Sequence, residues 1–163
     1  MTDLTIRPAE PTDHDAIWAI LEPILWAGET FALPHDWNRA QALAYWFAPA
    51  HHVHVALDGD AVVGSYYIRA NQLGAGDHVA NGTYATHADA QGRGVARAMG
   101  LHSFETARRL SFTMMQFNLV VATNTRAVAL WTGLGMHEIG RLPGVFRHPA
   151  HGPVDALVMH RVL

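Results

Sequence analysis

The 163-residue chain is 50% hydrophobic, only 15% charged, and carries a formal net charge of −3. That composition excludes disorder and fits one core, so a single domain over residues 1–163 is expected. The absence of cysteine removes a disulfide framework, a thiolate nucleophile and any cysteine-based zinc site. All basic residues are arginine, none forms a long run, and nucleic acid is not expected as a partner. No apolar run approaches the roughly 20 residues of a membrane span, so no membrane partner is expected. The start, Met1-Thr2-Asp3-Leu4, shows no basic-then-apolar leader pattern, and a cytoplasmic location is expected.

Thr2 to Arg7 alternates and predicts an opening strand. Thr12 or Asp13 caps a helix with Ile17, Ile20, Leu21 and Ile24 on one face, which Pro23 should kink or end near Glu22. Ala27 to Trp37 is expected as loop. Asn38 then caps a second helix carrying Leu43, Trp46 and Phe47, stopped by Pro49. His52 to Leu57 and Ala61 to Ile68 flank Asp58-Gly59-Asp60 and predict a hairpin. Asn71 to Asp77 holds two glycines and predicts a loop. Val79 to Thr86 predicts a strand, and Gly94 to Leu110 a helix with Val95, Met99, His102, Thr106 and Leu110 on one stripe. Met115 to Val121 is a short apolar run expected of a buried strand. Thr125 to Leu134 is expected as helix, with Gly135 just past its end. Met136 to Leu142 and Val154 to Val162 predict closing strands around a Pro/Gly/His loop. This order gives an α/β (α+β) fold, a mixed sheet with helices on its faces.

Between the third long strand and the following helix stands Gln91-Gly92-Arg93-Gly94-Val95-Ala96, of the form Q-x-x-G-x-A. A glycine turn feeding a helix leaves several N–H groups unpartnered, and with the helix dipole they suit a phosphate. Alone, the pattern is also that of an ordinary strand-to-helix connection. Downstream, Asn124, Ala127, Leu130, Trp131, Gly135 and Met136 fit N-x-x-A-x-x-L-x-x-x-x-G. The two markers at this separation resemble the Gcn5-related N-acetyltransferase (GNAT) superfamily across essentially the whole chain. The resemblance implies a mostly antiparallel sheet of about seven strands with about four helices on its faces. It also implies an enzyme, an acyltransferase that takes acetyl-CoA as donor and passes the acetyl group to an amine by direct attack. Tyr84, Thr86, Gln91, Gly92, Arg93, Gly94, Val95 and Ala96 are then the cofactor-binding residues, with Asn124 at the pantetheine arm; as a residue, Asn124 also reads as a helix cap.

A narrower resemblance lies in Met115-Gln116-Phe117-Asn118-Leu119-Val120, in Thr123-Asn124 and in Asn81. It is to the yeast acetyltransferases that detoxify proline analogues such as azetidine-2-carboxylate. It implies Asn81 and Asn118 as catalytic-site residues around a small-molecule amine, an amino acid or toxic proline analogue. On residues alone, Asn118 reads equally as a satisfied core amide and Asn81 as a bulge or turn asparagine. An acceptor amine on a protein or peptide, and a silent acetyl-CoA-binding sensor, are the alternatives. A homodimer is common in the superfamily.

Two features depart from the superfamily pattern. Trp131 stands where many members carry a tyrosine acid, and indole cannot supply a proton at neutral pH. Ala80 to Ala88 contains no Asp or Glu, so no carboxylate base comes from that stretch. Water, Tyr84 or His87 could move protons instead. His51, His52 and His54 cluster, but lack an evident third ligand and supporting shell, so no metal is expected. Leu142 to Asp155 could close over the acceptor, with Arg147 meeting a carboxylate or simply facing solvent. Trp26, Phe31, Trp37, Trp46 and Phe47 mark an aromatic N-terminal region that serves an acceptor pocket or plain packing, the latter preferred for Trp46 and Phe47.

Overall fold

A computed structural model describes residues 4–163. The sheet has seven strands in the order β1-β2-β3-β4-β5-β7-β6. They are β1 (Leu4–Pro8), β2 (His52–Asp58), β3 (Ala61–Ala70), β4 (Val79–Thr86), β5 (Met114–Val121), β6 (His137–His148) and β7 (Gly152–Val162). Four helices join them: α1 (His14–Ala27), α2 (Arg39–Trp46), α3 (Val95–Arg109) and α4 (Thr125–Gly133). The predicted order is the observed one, though Thr2 and Asp3 of the opening strand lie outside the described residues. Every neighbouring pair is antiparallel except β4 and β5, which are parallel and joined through α3.

The sheet separates two cores. On one face α1 and α2 bury Ile17, Ile20, Leu21, Leu25, Leu43 and Trp46 against Val55, Tyr67 and Ala85. On the other, α3 and α4 bury Val95, Met99, Phe104 and Trp131 against Tyr66, Ile68, Met115 and Met159. The period-2 alternation of β3 and β4 assigns Tyr67 and Ala85 to the first face and Tyr66 and Tyr84 to the second. The two helices over the second face approach closely at Gly100, where a Cβ would lie 2.7 Å from Leu134 Cδ1 and 3.1 Å from Trp131 Cζ3. Trp46, expected as packing, is 1% exposed, and its indole N–H donates to Ser65 Oγ at 3.0 Å.

Two local expectations change. Of the kink or end expected at Pro23, the end is not found, since α1 runs on to Ala27 and closes with Gly28 in the left-handed region. Proline forfeits the bond to the Ala19 carbonyl, but Ala19 and Pro23 both lie on the exposed side, where water replaces the lost donor. The buried stripe on the opposite side holds the helix together. The stretch from Leu142 to Asp155 is not a loop either. β6 and β7 continue through it as a hairpin, pairing Phe146 with Val154 and His148 with Gly152. The register shift between Leu142 and Phe146 absorbs Pro143, which has no N–H to give a ladder. Gly144, at φ 62°, donates its N–H to Asp155 Oδ1 at 3.1 Å and secures the bulge.

His54 sits in the interior. It is 8% exposed, stacked on Tyr66 at 4.9 Å, with the His102 ring 5.4 Å away. Burial pushes its pKa down to about 4 from 6.5. The unfolded chain therefore binds this proton first, and the native state loses stability as pH falls from 6.5 towards about 4. The expected loss is about 3 kcal/mol, on the order of one fully expressed shift of this size. Urea titrations at pH 7 and pH 4 check it, and His54→Phe should remove most of the slope. An unchanged slope in that variant would assign the acid sensitivity elsewhere.

Candidate active site

The parallel pair at the centre of the sheet is only partly paired. β4 and β5 share a ladder at Val79–Met114 and Ala80–Met115 and then diverge. Between them opens a cavity of about 870 Å³. Its wall runs from Asn81 and Asn118, past Gly82–Thr86 and Leu119–Val121, to Gln91, Gly92, Gly94–Arg97 and the start of α4. On the splayed edges, backbone groups that a continuous sheet would pair remain open to whatever enters.

At the wide end the chain turns from β4 into α3. Gly92 and Gly94 have φ of 76° and 84°, the left-handed region that glycine occupies without strain. A Cβ at either would meet nothing within 4 Å, so the backbone there faces open space. The first helical donation at this end is Ala98 N–H to Gly94 O at 2.9 Å. Among the described residues no protein acceptor takes the N–H groups of Gly92, Gly94, Val95, Ala96 or Arg97. Unpartnered amides at a helix N-terminus with glycine on the approach suit a phosphate-bearing ligand. Gln91, Gly92, Gly94, Val95 and Ala96 line the cavity at this end.

Arg93 does not. Its N–H donates to Ala90 O at 3.3 Å, and its guanidinium pairs with Asp58 at the end of β2, off the cavity wall. Arg97 and Arg126 line the cavity instead, and neither is paired with a carboxylate among the described residues. Both are one turn or less inside a helix start, a position that the turn motif alone does not single out. Arg126 Nη1 also donates to Gln91 Oε1 at 3.3 Å, tying α4 to the turn. Asn124 caps α4 by accepting from Ala127 N–H at 3.2 Å and lies on the same wall. Its two reading frames, cap and ligand contact, are compatible, since the cap uses only the carbonyl oxygen.

Tyr84 and Thr86 lie on the wall along β4. The Tyr84 ring, however, points into the second core, packed on Trp131 at 4.7 Å and Phe117 at 5.7 Å. Its hydroxyl donates to Ser103 Oγ at 2.7 Å, while Ser103 donates to Gly100 O. Burial holds the Tyr84 pKa above the ordinary tyrosine range. Tyr84 is thus a structural hydroxyl and not a ready proton source, which corrects that expectation. Trp131 is both core and wall, 6% exposed and packed at 4.7 Å on Phe117.

At the narrow end an amide cluster gathers. Asn118 is exposed and lies where β5 shifts register against β7, between Phe117 and Val120. The bulge takes it out of the apolar alternation, so of its two readings the satisfied core amide does not hold. Asn81 Nδ2 donates to Asn71 Oδ1 at 3.0 Å, and Asn118 Nδ2 donates to the same oxygen at 2.8 Å. Gln116 Nε2 donates to Asn118 Oδ1 at 3.0 Å. Asn71, read from sequence as loop, is the hub. Only the closure of β3 onto β4, sealed by Asn71 N–H to Val79 O at 2.7 Å, brings it there.

The remaining candidates divide. His87 Nδ1 accepts from Asp89 N–H at 3.2 Å in the turn after β4, and the ring is not on the cavity wall. Residues 142–155, Arg147 among them, do not line it either. Of the aromatic N-terminal residues Phe31 does, with Leu33 and Tyr45, whereas Trp26 is 72% exposed. Among the described residues Glu29 is the one carboxylate on the wall. Among the described residues no three His, Asp or Glu side chains gather as a metal site would require, and no helix is long and apolar enough to cross a membrane.

A parallel strand pair that splays beyond two rungs, with an open amide cradle at its wide end, suits a long phosphate-bearing molecule held between strands. The chain belongs to the acetyltransferase (GNAT) family, whose sequence profile matches residues 18–136. It is 42% identical to a GCN5-related N-acetyltransferase of Kribbella flavida, over 98% of each chain, with a TM-score of 0.93. A phosphinothricin acetyltransferase of Sinorhizobium meliloti, solved in complex with acetyl-CoA, shares the fold at 24% identity and a TM-score of 0.88, over 100% of this chain and 89% of that one. The N-acetyltransferase aca1 of Schizosaccharomyces pombe is 30% identical over 99 residues, 60% of this chain and 47% of that protein. The chain thus spans about half the length of that curated relative.

Proposed function

We propose that the protein is an acetyl-CoA-dependent N-acetyltransferase acting on the amine of a small molecule, an amino acid or a proline analogue among them. The observation that carries this is the continuity of one cavity from the amide cradle at Gly92–Arg97 to the carboxamides of Asn81 and Asn118. Acetyl-CoA fits the wall as built. The cradle and the guanidinium groups of Arg97 and Arg126 would hold the diphosphate, and Asn124 with the free edges of β4 and β5 would hold the pantetheine arm. Bound there, acetyl-CoA supplies an activated acyl carbon.

The chain's own residues bring the amine to it. With Nδ2 engaged by Asn71, Asn81 leaves Oδ1 free as an acceptor for an amine N–H. Held this way, a neutral amine keeps its lone pair for attack. The C–N bond forms, the C–S bond breaks, and the amine proton passes to solvent. The thiol has an ordinary pKa of about 8.5, so the departing sulfur takes its proton from water without a dedicated acid. Trp131 and Tyr84 serve as walls.

Acetyl-CoA titrated into the protein, followed by thiol release across an amine panel, tests the proposal. Release with azetidine-2-carboxylate or cis-4-hydroxyproline is expected. Tight binding with no release across the panel would make the protein a silent acetyl-CoA-binding module, and release only with peptide amines would make it a protein acetyltransferase.

A further inference from the structure

Arginine on the cavity wall differs from arginine elsewhere. Arg7, Arg39, Arg93, Arg108 and Arg141 are paired with carboxylates. The three on the wall, Arg69, Arg97 and Arg126, have no such partner among the described residues. Two of these stand at the helix starts where a diphosphate would lie. Arg69 stands at the other end of the splay, near the close of β3, where no phosphate is placed.

Its surroundings define what it awaits. Alternation puts Tyr67, Arg69 and Asn71 on the same side of the chain, and Asn81 and Thr83 on the matching side of β4. Thr83 Oγ1 donates to Tyr67 Oη at 2.9 Å, which places both on the α1–α2 side. Arg69 is half-buried and donates through Nη1 to its neighbour's carbonyl, Ala70 O, at 3.0 Å. Among the described residues the rest of its fork of donors has no partner. His51, stacked on Tyr67 at 3.9 Å, is held below the ordinary histidine range chiefly by burial and in smaller part by the Arg69 charge. A half-buried guanidinium beside an amine site would repel an incoming ammonium ion and a polyamine more strongly still. It gains only if the acceptor brings an anion.

We propose that Arg69 binds a carboxylate of the acceptor and that the substrate is an α-amino acid. Arg69 and Asn81 are directly opposite in the β3–β4 ladder. Opposed side chains start about 5 Å apart, a span that fits an amine and a carboxylate borne on one carbon. The planar fork of arginine matches a carboxylate, and lysine reproduces only its charge. This rests on the acetyltransferase reading, since it takes Asn81 as the amine-holding residue.

The test is binding of matched acceptors to the complex of protein and coenzyme A, by calorimetry, alongside thiol release with acetyl-CoA. Azetidine-2-carboxylate and azetidine differ only in the carboxylate. Wild type is expected to bind the first about tenfold or more tightly, the scale of a charge-assisted hydrogen-bonded pair. Arg69→Gln should abolish that preference and Arg69→Lys should keep part of it. Equal binding by wild type, no binding of the amino acid, or a preference intact in Arg69→Gln would overturn the proposal. A preference lost in Arg69→Gln with no acetyl transfer to either acceptor would sustain the carboxylate site and defeat the transferase reading. Thiol release with both acceptors and an unchanged preference would do the reverse.

Discussion

Gly94→Asp is expected to weaken acetyl-CoA binding by about 100-fold or more while the protein stays folded. Three effects act together, and their sizes differ. Gly94 has φ 84°, so any side chain meets backbone strain, of order 1–3 kcal/mol for most residues. Aspartate is among the residues that tolerate this region best, which keeps the folding cost near the lower figure. There is also space, since a Cβ at Gly94 meets nothing within 4 Å. What remains is electrostatic. The carboxylate would compete with the ligand's phosphates for the N–H groups of Val95, Ala96 and Arg97, and would repel the diphosphate. Losing hydrogen bonds to a charged group costs about 1.5–3 kcal/mol each, so two of them exceed a factor of 100. Calorimetric titration of acetyl-CoA measures the loss, and thermal unfolding separates it from misfolding. Near-native affinity in a folded Gly94→Asp protein would remove the diphosphate from this turn.

That turn was legible in the sequence because glycine at a left-handed position and a helix start are local features. The pairing of Asn124 with Ala127 N–H is local in the same way, as is the Asn38 cap of α2. The order of elements along the chain followed from hydrophobic periodicity, which survived even where β6 and β7 proved longer than the periodic stretches. Legibility fails where a residue's role depends on a partner far along the chain. Arg93 belongs to the motif by position, yet Asp58 at the end of β2 takes its charge, and no spacing rule announces that meeting. Asn118 looked like an amide in an apolar run because alternation assumes an unbroken ladder, and the bulge breaks it. Tyr84 lies on β4 at the cavity, but period 2 sends its ring to the α3 face, where Ser103 holds it. Asn71 and Arg69 carry no motif at all. They become site residues only when β3 folds back against β4, setting Arg69 across from Asn81.

Asn71→Ala is the second large effect expected, a fall of about 10- to 100-fold in kcat/KM for the acceptor with acetyl-CoA binding unchanged. Asn71 touches neither cradle nor pantetheine wall, and it is absent from the cavity lining. It acts as a positioning residue through one oxygen, which accepts from both Asn81 and Asn118. Those two bonds fix which end of each carboxamide faces the cavity. Without them Asn81 can rotate its amide and present a donor where the amine needs an acceptor, and misplacement of a reacting group by about 1 Å alone can cost on the order of 100-fold. A merely structural residue would lower stability and leave the split between kcat and KM untouched, so both constants are needed. Asn71→Asp supplies the discriminating control, because a carboxylate retains the double acceptor and should restore much of kcat. Combining Asn71→Ala with Asn81→Ala should add little to the worse single variant, as expected of residues that act as one unit. Full additivity of the pair, or an Asn71→Asp variant as impaired as Asn71→Ala, would show that the shared oxygen does not organise the acceptor site.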